Sequence, residues 1–173
     1  MTSSKLGLVS TLFDYTVWAF DQVWGCVDEL TDEQFCMEID YSRGSIRNQF
    51  VHVMSATARW IQRLQGRLLE PHLSYEGYKT ILGTRQQWNA SFNDIREYLA
   101  TLDEQKLREV VHWELPARNM SSLNQRTEIL LHVLNHATDH RAQILAMLHY
   151  SFHAKTVEQD LIFYLASDQM KQR

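Results

Sequence analysis

Apolar side chains recur every three to four residues over long stretches of this chain, and this spacing constrains its fold most strongly. Such spacing places the side chains on one face of an α-helix. It predicts long helices over residues 6–30, 46–65 and 84–102, and a fourth that Ser122 or Asn124 caps and that runs to about Leu148. Each helix therefore has one apolar face to bury, as in a helical bundle.

Shorter signals fill the gaps between these helices. Residues 31–34 (TDEQ) and 156–159 (TVEQ) match capping boxes, which predict a short helical turn and a last helix, and Ser45 is suited to cap the second long helix. Alternation over residues 109–115 predicts a short strand or hairpin. The predicted fold is all-α: an antiparallel four-helix bundle with an extra short C-terminal helix and a small hairpin before the fourth long helix.

Composition limits the class of protein. The chain has 173 residues with 2 Pro and 6 Gly, which argues against a β-sandwich and fits a single domain over residues 1–173. A net charge of −4 argues against a nucleic-acid partner, and no apolar stretch is long enough to cross a membrane. The first ten residues do not resemble a secretory signal, and Cys26 and Cys36 form no CxxC motif, so we expect a cytoplasmic protein.

Histidine is unusually frequent, with 8 residues, and three of these lie at intervals of four: His132, His136 and His140. About 0.02 such triplets are expected by chance in a chain of this composition. On a helical projection His136 and His140 fall on the apolar face, whereas His132 falls on its edge. Two imidazoles one turn apart on a buried face can reach one metal ion, but hydrogen-bonded core histidines are an equally open interpretation.

A third metal ligand must come from another part of the chain. His52 lies on the flank of the apolar face of the second long helix. The remaining four histidines fall in predicted loops, in the possible strand or near a helix end: His72, His112, His149 and His153. Periodicity alone does not choose among these candidates.

Residues 132–143 (HVLNHATDHRAQ) resemble the signature of the DinB family, which has the approximate form HxxNHxxxHRGQ. Weaker similarities follow in chain order over residues 13–18 (FDYTVW), 45–48 (SIRN) and 160–165 (DLIFYL). The second-helix pattern of the family, a His followed eight residues later by Trp, matches His52 and Trp60. The resemblance therefore spans nearly the whole chain.

This resemblance implies a four-helix bundle that holds a divalent metal through His52, His136 and His140. Zn²⁺ is favoured, with Ni²⁺ and Fe²⁺ as alternatives, since imidazole suits all three. The family pattern also nominates Asn135 and Arg141 as residues that support the ligands. The chain departs from the family at Ala142, where glycine is usual, and in residues 55–58 (SATA), which lack the acidic residue often found there.

The resemblance further implies a metal-dependent transfer of a small thiol to an electrophilic small molecule, as in detoxification. Two other functions stay open. One is a metal-binding stress protein without turnover, and the other is a helical interaction module whose histidines bind no metal. A homodimer is compatible with a bundle of this size, although no sequence segment identifies an interface.

Overall fold

The computed structural model describes residues 4–171, and side chains as far as residue 167. The chain is mostly helical with one two-stranded sheet, which confirms the all-α prediction. The elements in order are α1 (Lys5–Val27), α2 (Asp32–Cys36), α3 (Ile46–Leu64), a 3₁₀ turn (Tyr75–Gly77), α4 (Ile81–Ala100), α5 (Glu104–Arg108), β1 (Val110–Leu115), a second 3₁₀ turn (Pro116–Arg118), β2 (Met120–Gln125), α6 (Arg126–Phe152) and α7 (Leu161–Lys171).

The four long helices pack around a common core in the cyclic order α1, α6, α3, α4. Helix α4 runs antiparallel to α1. Two ion pairs show this direction, since Arg85 pairs with Asp28 whereas Arg96, later in α4, pairs with Asp14, earlier in the chain. None of the helices in residues 4–171 combines the length and apolar character that a membrane crossing requires.

Helices α3 and α4 run parallel to each other. Phe50 packs against Trp88 near their starts. Near their ends, the Arg126 guanidinium donates to the Leu64 carbonyl and to the Tyr98 hydroxyl, at 2.5 and 2.7 Å. A parallel pair requires the chain to return along the length of the bundle, and the long connector of residues 65–80 provides that return. The bundle is thus antiparallel across α1–α4 and α3–α6.

An aromatic cluster fills one end of the bundle. The rings of Trp24 and Phe50 stack with centroids 3.8 Å apart, and Phe20 meets Trp88 at 4.4 Å. Phe35 from α2 closes this end of the core, and all five side chains are almost completely buried. The cluster joins α1, α2, α3 and α4, and so fixes α3 in the bundle just before the turn that carries His52.

The predicted cap of the fourth long helix was wrong. Ser122 and Asn124 lie in β2, and α6 begins at Arg126, where Gln125 and Glu128 form a capping box. Strand pairing accounts for the difference, because the ladder extends to the pair Val110 and Gln125. The hairpin itself is confirmed, as are the capping box of α2 and the Ser45 cap of α3.

The last helix also begins later than its capping box predicts. No helix forms at Thr156, and α7 begins at Leu161. A tertiary contact competes with the local signal, since the Tyr15 hydroxyl of α1 donates to the Gln159 carbonyl at 2.7 Å. This contact holds the connector against the bundle.

Replacement of Phe50 by alanine tests the aromatic cluster. We expect Phe50→Ala to lower the free energy of unfolding by about 3–5 kcal/mol, because it removes a ring that stacks between buried neighbours. Urea denaturation measures the change. Leu68→Ala is the control, since Leu68 is 93% exposed, and it should change stability by less than about 0.5 kcal/mol. Equal effects of the two substitutions would contradict the packing described here.

Candidate metal site

Three histidines converge where α3 packs against α6. The Nε2 atom of His136 lies 3.3 Å from Nε2 of His52 and 3.1 Å from Nε2 of His140. One ligand atom from each residue lies within 4.8 Å of the others, an arrangement that could hold a metal ion. The fold thus brings together two histidines from the predicted apolar face of α6 and the one that only the family resemblance selected.

The spacing of these nitrogens fits a metal ion. Zinc–nitrogen bonds of about 2.0–2.1 Å place the ligands of a tetrahedral site about 3.3 Å apart. The two Nε2 separations lie close to this value. Two nitrogen atoms that face each other repel through their lone pairs unless a cation or a proton lies between them. Only a few protons can lie between the three nitrogens of this cluster. The donor set of three imidazoles suits Zn²⁺, and Ni²⁺ or Fe²⁺ as well.

A buried glutamine fixes the orientation of His140. The Nδ1–H group of His140 donates to Oε1 of Gln49 at 2.5 Å, and both side chains are buried. The Gln49 amide nitrogen donates in turn to Oε1 of Gln143 at 3.0 Å, and the Gln143 amide donates to Asp139 at 3.0 Å. With its proton on Nδ1, His140 presents a lone pair at Nε2 to the other two histidines. A hydrogen bond to the remote ring nitrogen is how metal-ligating histidines are usually oriented.

Arg43 contacts the same nitrogen of His52 that faces the cluster. Its guanidinium lies 3.2 Å from Nε2 of His52, and since a guanidinium only donates, this nitrogen carries a lone pair. Asn48 steadies the Arg43 backbone by donating to its carbonyl at 2.7 Å. A metal ion at Nε2 would compete with the guanidinium for one lone pair. Metal binding therefore requires the exposed Arg43 side chain to move away from His52.

Burial keeps the cluster neutral. It lowers the pKa of His52 to about 3 and that of His136 to about 4, with further lowering of the His52 pKa by Arg43 and of both by neighbouring imidazoles. The pKa of His140 is also lowered, chiefly by burial. Three neutral imidazoles are the protonation state that metal ligation requires at neutral pH.

His132 lies beside the cluster without joining it. Its ring centroid is 6.0 Å from that of His136, and the ring packs edge-on against Trp60 at 5.2 Å. The exposure of the three α6 histidines follows the helical projection: His140 is buried, His136 is half-buried and His132 is exposed.

The two supporting residues that the family pattern nominated have other surroundings. The buried Arg141 donates to the Tyr15 hydroxyl at 2.8 Å and thereby joins α6 to α1, while Asn135 is exposed. Gln49 is the side chain that bonds His140, and sequence reasoning missed it. The available signal was spacing, since Gln49 precedes His52 by three residues and so shares its face of α3.

A cleft of about 520 Å³ lies next to His52 and His136. Helix α3 forms one wall with Trp60, and the α3–α4 connector contributes His72, whose Nδ1 lies 3.0 Å from the Ser55 hydroxyl. Burial, followed by nearby arginines, lowers the pKa of His72. The turn of the hairpin, including Pro116, forms the opposite wall. A small molecule in this cleft would lie against two of the three clustered histidines.

Two comparisons with known proteins found similar sequences. A model of the DinB family matches residues 1–156. The protein named DinB from Bacillus subtilis (strain 168) is 29% identical over 152 residues, which cover 83% of this chain and 86% of that protein.

Acid destabilisation of the metal-free protein tests the neutrality of the cluster. The pKa values of His52 and His136 are lowered in the folded state, so between about pH 6.5 and pH 4 the unfolded chain binds protons that the folded chain does not. We expect the free energy of unfolding in chelator to fall as the pH drops through this range. Urea denaturation at several pH values measures it.

The double variant His52→Gln, His136→Gln is the control for this experiment. Glutamine does not titrate, so the dependence of stability on pH should become shallower between pH 6.5 and pH 4. An unchanged slope would show that these two histidines are not held neutral by the fold.

Proposed function

The chain belongs to the DinB family, and from that premise we propose that it is a metalloprotein in which His52, His136 and His140 bind one divalent cation. The observation that carries the proposal is the convergence of three histidine nitrogens within 4.8 Å of one another, with Nε2 of His136 at 3.3 and 3.1 Å from Nε2 of His52 and His140. Zn²⁺ is the preferred ion, with Ni²⁺ and Fe²⁺ as alternatives that the same donors accept.

The surroundings of the cluster support this assignment. Gln49 fixes the tautomer of His140, and burial keeps all three imidazoles neutral, so the exposed Arg43 side chain is the group that must move before a cation binds. Three protein ligands leave a tetrahedral ion with one free position, as in catalytic rather than structural zinc sites. The adjoining cleft provides the space that such an open position requires.

Removal of single histidines tests the ligand set. We expect His52→Ala, His136→Ala and His140→Ala each to abolish stoichiometric metal binding, because two imidazoles cannot replace three. Elemental analysis of protein purified without an affinity tag measures the metal content. His132→Ala is the matched control on the same helix and should retain one metal per chain. Full metal content in any of the three ligand variants would refute the assignment.

We further propose that the site transfers a small thiol to an electrophilic small molecule, in the cytoplasm. In such a reaction the thiol loses its proton, the sulfur bonds to the electrophilic carbon, and the leaving group departs with the electron pair of the broken bond. A bound divalent cation would favour the thiolate by lowering the pKa of the thiol. Cys26 and Cys36 form no disulfide with each other, in keeping with a reducing compartment.

The residues of the cleft have separate roles in this proposal. Trp60 offers an aromatic wall for an apolar electrophile, next to the histidines. Residues 55–58 contain no acidic side chain, so the family carboxylate cannot accept the thiol proton. The imidazoles of His72 and His132 line the same cleft and are the remaining groups there that could accept it. Burial lowers the pKa of both, so they are neutral but weaker bases than a free imidazole.

Turnover tests the transferase proposal. We expect the Zn²⁺-loaded protein to consume a cellular thiol in the presence of a chlorodinitrobenzene. The reaction is followed by its absorbance, and a panel of cellular thiols is tested in turn. Chelation and His136→Ala should reduce the rate to the uncatalysed level, whereas His149→Ala, at the far end of α6, should retain it. Metal binding without turnover for any thiol would favour a non-enzymatic stress protein. Absence of both would favour an interaction module.

A further inference from the structure

Four arginines line the cleft beside the histidine cluster: Arg43, Arg59, Arg63 and Arg118. They come from three segments, namely the loop before α3, helix α3 itself and the turn of the hairpin. Within the described part of the chain, no aspartate or glutamate lines this cleft. The ion pairs among the described residues involve other basic side chains: Arg85, Arg96, His112 and Arg126. None of the four arginines therefore forms an ion pair with a carboxylate of the described residues.

Two of these guanidinium groups are fixed in positions where they repel each other. Arg59 and Arg63 lie one turn apart on α3, and like charges at this spacing destabilise a helix. Arg59 donates to the Glu70 carbonyl, while Arg63 donates to the Glu114 carbonyl at 3.3 Å and lies over the Trp60 ring at 4.9 Å. Burial, and then the charge of Arg59, lower the pKa of Arg63. Backbone and ring contacts orient both groups but leave their charge uncompensated.

The other two arginines approach the cleft from its remaining sides. Arg43 lies over His52, and Arg118 is exposed in the 3₁₀ turn that joins β1 to β2. Positive charge thus surrounds the space next to the cluster. Planar guanidinium groups bind carboxylate and phosphate oxygens through paired hydrogen bonds, and several such groups around one cleft select ligands with more than one negative charge.

We propose that this cleft binds a small molecule with two or more negative charges, and that this molecule is the anionic substrate acted on at the histidine cluster. The second half of this statement rests on the proposed function, whereas the binding itself does not. The cleft volume of about 520 Å³ lies within the range of small-molecule sites. A net charge of −4 disfavours an extended polyanion such as a nucleic acid.

Calorimetric titration with defined anions tests the proposal. The probes are succinate, which has two carboxylates, inorganic phosphate, and 1,4-butanediol as the neutral analogue of succinate. Each is titrated into the full chain, both stripped of metal and loaded with Zn²⁺. We expect succinate or phosphate to bind both forms, more weakly at higher salt, and the diol to bind neither. The stronger of the two anions identifies the charged group of the substrate.

Arginine variants localise the binding. We expect Arg118→Gln to weaken the binding of the preferred anion by about tenfold, and the double variant Arg59→Gln, Arg63→Gln to weaken it by about a hundredfold, since each removes charge-assisted hydrogen bonds. Arg67→Gln is the matched control, because Arg67 is exposed just after α3 and outside this cleft. If the double variant does not fold, the exposed Arg118 decides the test by itself.

The outcomes separate this proposal from the metal site. Anion binding that is lost with the arginines but persists in a protein without metal supports the cleft, even if the proposed metal function fails. Affinity in Arg118→Gln and in the double variant equal to that of Arg67→Gln would overturn the proposal. So would failure of both anions to bind the metal-stripped and metal-loaded protein.

Discussion

The antiparallel packing of α3 against α6 is the contact on which the rest of this structure depends. At one end Gln49 bonds His140 and Gln143, and at the other Arg126 donates to the carbonyl of Leu64. Between these two points the histidines of both helices come within hydrogen-bond distance of one another. A shift of one helix by a single turn would move His52 by about 5.4 Å along α6 and break its present contact with His136.

Most of the bundle follows from local signals in the sequence, because periodicity and caps act within a few residues. The long helices, the hairpin and the capping box at Thr31 are of this kind. The predictions at Ser122, Asn124 and Thr156 were wrong where a contact distant in sequence outweighed a local preference. Ser122 and Asn124 pair within the hairpin instead of capping a helix. The start of α7 lies after Gln159, whose carbonyl accepts a hydrogen bond from Tyr15.

The residues of the site differ in which sequence signal, if any, predicts them. His136 and His140 could be placed by the apolar face of α6, and their burial follows that projection. His52 lies on the flank of its helix, so only the family resemblance selected it. Gln49 could have been placed by its spacing of three residues from His52. The arginines around the cleft could not be brought together from the sequence, since their roles depend on how α3, the connector and the hairpin meet in space.

X-ray absorption at the metal edge of the untagged protein is the most direct test of the central claim that His52, His136 and His140 bind one divalent cation. The method reports the atoms bonded to the metal itself, and imidazole rings give a recognisable scattering pattern. We expect one metal per chain, bound by three imidazole nitrogens and at least one non-protein or exchangeable ligand. A metal with fewer than three imidazoles, or with sulfur from Cys26 or Cys36 in their place, would contradict this ligand set.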